Sequence, residues 1–283
     1  MRNRRDGKRV TNISGMHSLL PHFKPSRADS DVYINHKLDV TELVKYYEKL
    51  KKNEETKHIT YFHLFCAAMG MTVYNRPLLN RFVINKKYYD RNDVTISFVA
   101  KKEFTDTSEE NLSVIKINEE DDLNEIANKI SSVVKEIRSK KNNLTDDFIN
   151  NIGKLPKIIK ALIVGLVKFG DNHDLLPKSL TANSIYHSTV LVSNLGSLGC
   201  GAIYHNLTDF GTNSILITIG EIKDEAVVIN GKVEVRKVCE LGANLDERIA
   251  DGFYFIKSIQ LLEHILNNPS LLEKKSNTKI NLK

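Results

Sequence analysis

Cysteine is scarce in this chain: Cys66, Cys200 and Cys239 stand far apart, in no paired metal spacing and no disulfide framework. That usage suits a reducing cytoplasm. Long apolar runs are missing too. The longest, Ala161 to Val167, falls far short of the ~20 residues that span a bilayer. The charged opening Met1 to Arg9 leads into no apolar stretch, so no secretory leader is expected. His22, His173, His187 and His264 have no companions at ligand spacing, so no metal is expected. Phosphate loops find no support: Gly196-Ser197-Leu198-Gly199-Cys200-Gly201 lacks the P-loop lysine and opens no helix. There is no Gly-x-Ser-x-Gly elbow, no internal repeat and no clear second domain boundary.

What is present describes a globular chain. Its 41% hydrophobic residues suffice for a buried core. The net charge of +6 is spread along the sequence, with a local excess at Arg2, Arg4, Arg5, Lys8 and Arg9. Such a terminus reads as a solvated arm, and residues 1–30 as an extended arm or irregular cap, not as a nucleic-acid site; the basic balance also suits a polyanionic cofactor.

Periodicity places the elements. Val32 to Leu38 alternates as a strand, and Leu43, Val44, Tyr47 and Leu50 recur at helical spacing after Thr41. A second helix is predicted from Thr60 to about Tyr74 and stopped at Arg76-Pro77. Phe82 to Tyr89 and Val94 to Val99 read as strands joined by a polar turn over Asp90 to Asp93. Asn111 to Ile117 is a further strand, and Leu123 to Ile137 a helix. Within residues 142–184, Leu155 to Phe169 forms an amphipathic helix with an apolar face and lysines at its edge. It is expected to pack on its own domain or a neighbouring subunit; docking on a membrane surface and a lid over a site are the alternatives. Strands follow at Ser188 to Val192 and Ser214 to Ile219. Glu225 to Ile229 and Val233 to Val238 form a hairpin through Asn230-Gly231, a type I′ turn signal. The last helix runs from Phe253 to Leu266, and the polar tail 267–283 is expected to fray.

Two short stretches carry the chemistry. The first is Ser193-Asn194-Leu195-Gly196-Ser197-Leu198-Gly199, and the second Glu247-Arg248-Ile249-Ala250-Asp251-Gly252. Together with Pro77-Leu78-Leu79-Asn80 and the strand-to-helix passage Leu38-Asp39-Val40-Thr41, they resemble the dihydrolipoyl acyltransferase core of the 2-oxoacid dehydrogenases and chloramphenicol acetyltransferase. The signature of that family is His-Arg-x-x-Asp-Gly, and Glu247 stands where it has its catalytic histidine. The insertion 142–184 is a second departure.

The resemblance implies an α/β (α+β sandwich) fold of the chloramphenicol acetyltransferase type, a mixed sheet backed by helices, over residues 31–266. It implies homotrimers with the active site between subunits. Ser193 would donate to the oxyanion, within a loop shaped by Asn194 and Gly196; the other reading is a tight turn and nothing more. Asp251 would be structural, held by an arginine for which Arg5, Arg9 and Arg27 are candidates, with Arg248 and Gly252 completing the motif. A histidine with pKa near 6.5 meets a thiol near 8.5 at a cost of ~3 kcal/mol, whereas a glutamate near 4.3 widens this to ~6 kcal/mol unless burial raises it. Glu247 is therefore either a base in a special environment or an ion-paired carboxylate at a lost site. His205, in the loop after the serine motif, is the substitute base, or else a surface histidine.

The implied function is acyl transfer between coenzyme A and a thiol, amine or hydroxyl. No lipoyl domain is found in the chain, so acyl-CoA, or a lipoyl or carrier domain on another protein, would deliver the acyl group. The alternative is an inactive trimeric scaffold that binds a ligand or partner.

Overall fold

The computed structural model describes residues 2–13, 15–101, 110–139, 153–182 and 184–282. Its strands are β1 (Gly7–Arg9), β2 (Asp31–Asp39), β3 (Arg81–Ile84), β4 (Lys87–Arg91), β5 (Val94–Lys101), β6 (Glu110–Ile117), β7 (Val190–Asn194), β8 (Ile215–Ile229) and β9 (Lys232–Asp246). The helices are α1 (Gly15–Phe23), α2 (Thr41–Lys51), α3 (Tyr61–Asn75), α4 (Leu123–Ser139), α5 (Lys157–Asn172), α6 (Lys178–Thr181) and α7 (Gly252–Asn267). Six strands make one mixed sheet in the order β2-β9-β8-β7-β5-β6, parallel along β8-β7-β5 and antiparallel elsewhere.

Alternation along the strands gives this sheet two unlike faces. Val190 and Val192 of β7, Ile215 and Ile219 of β8, Leu241, Ala243 and Leu245 of β9, and Ile96 and Phe98 of β5 pack into the core that α2, α3, α4 and α7 close. At the centre of that layer α3 is buried on all sides from His63 to Val73, as a helix apolar around its circumference must be. Gly70 permits its approach to β6, since a Cβ there would lie 2.6 Å from Ile117 Cδ1.

The opposite face carries Leu191, Ser193, Leu216, Thr218, Gly242, Asn244, Asp246, Asn35 and Tyr33. Irregular chain over 199–213 and 24–30 covers it. Such chain brings carbonyls without ladder partners, and a buried carbonyl needs a donor. Arginines supply them. Within these segments Arg27 donates to Gly211 O at 2.7 Å, Arg91 to Thr212 O at 2.9 Å, and Arg248 to Lys24 O at 3.0 Å and Pro25 O at 3.2 Å; outside them Arg4 donates to Asp171 O at 2.6 Å, Arg27 to Val83 O at 3.0 Å and Arg91 to His187 O at 2.7 Å. None of the four is more than 9% exposed. Burial pushes the Arg27 and Arg91 guanidinia down, Arg91 to about 10, which leaves Arg91 charged at neutral pH.

Several expectations are corrected. The N-terminal segment is not a solvated arm: β1 joins β4 and β3 in a small antiparallel sheet, Arg4 is buried, and Arg5 pairs with Asp174 at 3.0 Å. Phe82 to Tyr89 is not one strand, because Asn85 and Lys86 take positive φ (48° and 56°) and turn the chain between β3 and β4. Ser214 to Ile219 and Glu225 to Ile229 are one strand, β8, with a register irregularity between Ile219 and Ile222. The tail does not fray: Leu272 is buried, and Ser276 donates to Asp121 O through both its N–H and its Oγ at 2.8 Å.

The amphipathic helix of the insertion exists as α5, but its apolar face does not pack on its own domain. Its buried residues are Gly170 and Asp171 at the C-terminal end. Residues 142–152 and 183 of the insertion lie outside the described residues.

Asp246, fully buried, accepts from Arg248 at 2.7 and 2.8 Å. Arg248→Ala strands that carboxylate and two carbonyls, and should cost about 3–5 kcal/mol of unfolding free energy in urea titrations.

Candidate functional site

Ser193, one residue before the end of β7, lies on the polar face. It pairs with Thr218, Thr218 with Gly242, and Gly242 with Asn35, so one row crosses four strands with small or polar side chains throughout. Gly242 lets the 199–213 segment lie flat on this row, because a Cβ there would meet Ile203 O at 2.5 Å and Thr218 Oγ1 at 2.6 Å. The Thr218 hydroxyl donates to the same Ile203 carbonyl. After Ser193 the chain turns tightly. Leu195 N–H donates to Ile219 O at 2.9 Å, Gly196 passes so close to Gly220 that a Cβ would meet its carbonyl oxygen at 2.5 Å, and Asn194 O accepts from Ser197 Oγ at 3.0 Å.

His205 sits on the segment that covers the row. Its N–H donates to Asn244 Oδ1 at 3.1 Å, and its ring Nδ1 lies 3.3 Å from Asn206 O. A carbonyl oxygen can only accept, so in the neutral ring Nδ1 carries the hydrogen and Nε2 keeps a lone pair. Tyr33 steadies the segment on both sides of the ring, edge-on to Tyr204 at 5.5 Å and donating from its hydroxyl to Asn206 Oδ1 at 2.9 Å. The Asn244 anchor is two strands across and two residues along from Ser193, a span of about 12 Å.

Glu247 follows β9, five residues beyond Gly242. Strand geometry puts it about 20 Å from Ser193 of the same chain, so the two do not meet within one subunit. Its carboxylate is ion-paired with Lys24, the two side chains 32% and 40% exposed. Asp251 has a structural contact of its own. It caps α7, its Oδ1 accepting from Tyr254 N–H at 2.7 Å, and it is exposed. Arg5 is held by Asp174, Arg9 lies over the Tyr89 ring, and Arg27 is spent on carbonyls; none reaches Asp251. The buried carboxylate of this stretch is Asp246, and its partner is Arg248 of the motif itself. Gly252 is the first residue of α7.

Two acidic residues near this face went unnoticed in the sequence. Asp31 lies opposite Asp246 in the β2–β9 ladder and accepts from Leu207 N–H at 3.3 Å. Desolvation, with Asp246 alongside, pushes its carboxyl up to about 6. Asp171 binds His187 Nε2 at 3.1 Å, Arg4 at 3.3 Å and Gly211 N–H at 3.1 Å, which tie its acid range down despite burial. No sequence pattern joins these partners, since they are brought together by the covering segments.

Cavities of about 250, 220 and 350 Å³ occur on the surface, and none of these three is lined by Ser193, His205 or Glu247. The one beside the serine loop is lined by Tyr47, Tyr61, Phe62 and Phe65 and opens on the helix side of the sheet. Ser193 points to the other side.

Residues 26–154 and 173–273 match the family described as 2-oxoacid dehydrogenases acyltransferase (catalytic domain), and the chain belongs to that family. The match breaks off over 155–172, which is α5 almost to the residue. The chain is 24% identical over 236 residues to the lipoamide acyltransferase component of the branched-chain alpha-keto acid dehydrogenase complex of Bacillus subtilis (strain 168). That alignment covers 82% of this chain and 45% of the relative, so the chain spans less than half of its length. A probable dihydrolipoamide acetyltransferase from Listeria monocytogenes is similar in structure, with a TM-score of 0.59 at 20% identity over 97% of this chain and 99% of that one. The dihydrolipoamide acetyltransferase of Azotobacter vinelandii gives 0.61 at 16% identity over 93% and 94%. A chloramphenicol acetyltransferase gives 0.54 at 9% identity over 95% and 100%. These likenesses establish the fold expected from the sequence.

The raised Asp31 carboxyl has a stability consequence. The folded state holds a proton there that the unfolded chain releases near pH 4, so stability falls as pH rises from about 4 to about 6. Asp31→Asn keeps the acceptor for Leu207 and should be more stable than the parent at neutral pH by about 1 kcal/mol, after discounting for solvent screening. Urea titrations should show that advantage vanishing below about pH 4.

Proposed function

We propose that this chain moves an acyl group between coenzyme A and a thiol, amine or hydroxyl acceptor. It works as a homotrimer in the cytoplasm, and acyl-CoA, or a lipoyl or carrier domain of another protein, delivers the acyl group. One observation carries this reading: the hydroxyl of the family's serine loop shares the polar face of the sheet with a histidine whose Nε2 is left as an acceptor.

In this mechanism His205 Nε2 takes the proton of the acceptor as it attacks the thioester carbon. Ser193 donates to the oxyanion that forms, a contribution worth about 3 kcal/mol for a preorganised donor. Collapse of the intermediate breaks the carbon–sulfur bond, and the histidine returns the proton to the departing CoA thiolate. Glu247 suits the base role less well because Lys24 already engages its carboxylate. At about 20 Å within a chain, it would meet a Ser193 only across a subunit boundary. The same ion pair, standing where the family has its catalytic histidine, favours the second reading, a trimer that binds ligands without chemistry.

Kinetics with acetyl-CoA and a panel of acceptors separate the two. Ser193→Ala should lower kcat about 10²–10³-fold and His205→Ala about 10²–10⁴-fold, with Glu247→Ala costing less than about ten-fold. Turnover indifferent to the first two substitutions removes this mechanism. CoA binding without turnover on any acceptor leaves the scaffold.

A further inference from the structure

α5 lies outside both the family match and the core. Ile158, Leu162, Leu166 and Phe169 recur at helical spacing along one side of it and are 83%, 63%, 61% and 57% exposed. Ile163 and Val167, on another side, are half-buried. Leu175 and Leu180 extend the exposed apolar surface past its end.

The charge around this stripe is of one sign. Lys157, Lys160 and Lys168 lie on the helix and Lys154 just before it, and no acidic residue occurs from Gly153 to Gly170. Asp171, the first acid, is buried and held by Arg4, His187 and the Gly211 N–H. An exposed apolar stripe edged by unopposed lysines is the pattern of a helix that lies in a membrane interface, its apolar side at the headgroup–acyl boundary and its lysine stems reaching up to phosphates.

We propose that α5 docks this protein on an anionic membrane surface, with the helix axis in the membrane plane. Its 16 residues give a length of about 24 Å. No described helix is long and apolar enough to cross a membrane, so the contact is peripheral through this element. A second copy of the chain fits the stripe less well: symmetric pairing of two α5 helices sets lysines against lysines with no carboxylate between them. The anchored end at Asp171 connects the docked helix to the segment bearing His205 through the 3.1 Å bond from Gly211 N–H.

Sedimentation of the full chain with phospholipid vesicles tests this. The protein should pellet with phosphatidylcholine vesicles containing about one-third phosphatidylglycerol and stay in solution with phosphatidylcholine alone. Pelleting should be lost at about 1 M NaCl, where the Debye length is about 3 Å. Leu162→Glu/Leu166→Glu, at exposed positions, and Lys157→Glu/Lys160→Glu/Lys168→Glu should each weaken the partition at least about ten-fold, with unchanged thermal melting showing that the fold is kept. Three results overturn the proposal. One is pelleting independent of anionic lipid, or none. Another is parental binding by both variants. The third is a leucine variant that sediments as a smaller assembly without lipid, which would make α5 a subunit contact.

Discussion

Buried arginines are the constraint on which the polar half of this molecule rests. A sheet backed by helices on one side must cover its other side, and here the cover is irregular chain whose carbonyls have no ladder of their own. Arg27, Arg91 and Arg248 take up the Gly211, Thr212, Lys24 and Pro25 carbonyls of those segments. An unsatisfied buried carbonyl costs about 1–3 kcal/mol, so together these donors decide whether the 199–213 and 24–30 segments can lie down at all. Arg248 does most, because it also neutralises Asp246 at the end of the longest ladder in the sheet.

That arrangement fixes what the face can do. Gly242 and Thr218 hold the covering segment close to the row that begins at Ser193. The segment carries His205 and fixes which of its ring nitrogens is protonated. Glu247, just past the far end of β9, is a carboxylate neutralised by Lys24. The polar face thus carries the Ser193 hydroxyl and the His205 ring, while the fold as a whole follows its relatives.

Much of the apolar half was legible in the sequence. α2, α3, α4, β6 and the Asn230-Gly231 hairpin follow from periodicity and turn chemistry, and the two motifs led to the fold. The polar half was not. Arginines near the N-terminus read as a solvated arm because composition cannot tell a surface charge from a carbonyl cap. Asn85-Lys86 turns the chain without glycine or proline to announce it. Lys24 and Glu247 are 223 residues apart in sequence, and only the tertiary fold joins them. Asp246 and Asp251 share one short stretch, and burial, which no pattern reported, decides which of them pairs with arginine. His63, within α3, is buried, accepts the Thr60 N–H on Nδ1 at 3.0 Å, and desolvation pushes it down to about 4.

The central claim is that the polar face of the sheet is where the acyl group is handled. A crystal structure with a non-hydrolysable acetyl-CoA analogue tests it most directly. The account predicts the acyl oxygen within about 3 Å of Ser193 Oγ, with His205 turned toward the acyl carbon. An acyl group lodged in the aromatic cavity on the helix side, or anywhere out of reach of both residues, would contradict it.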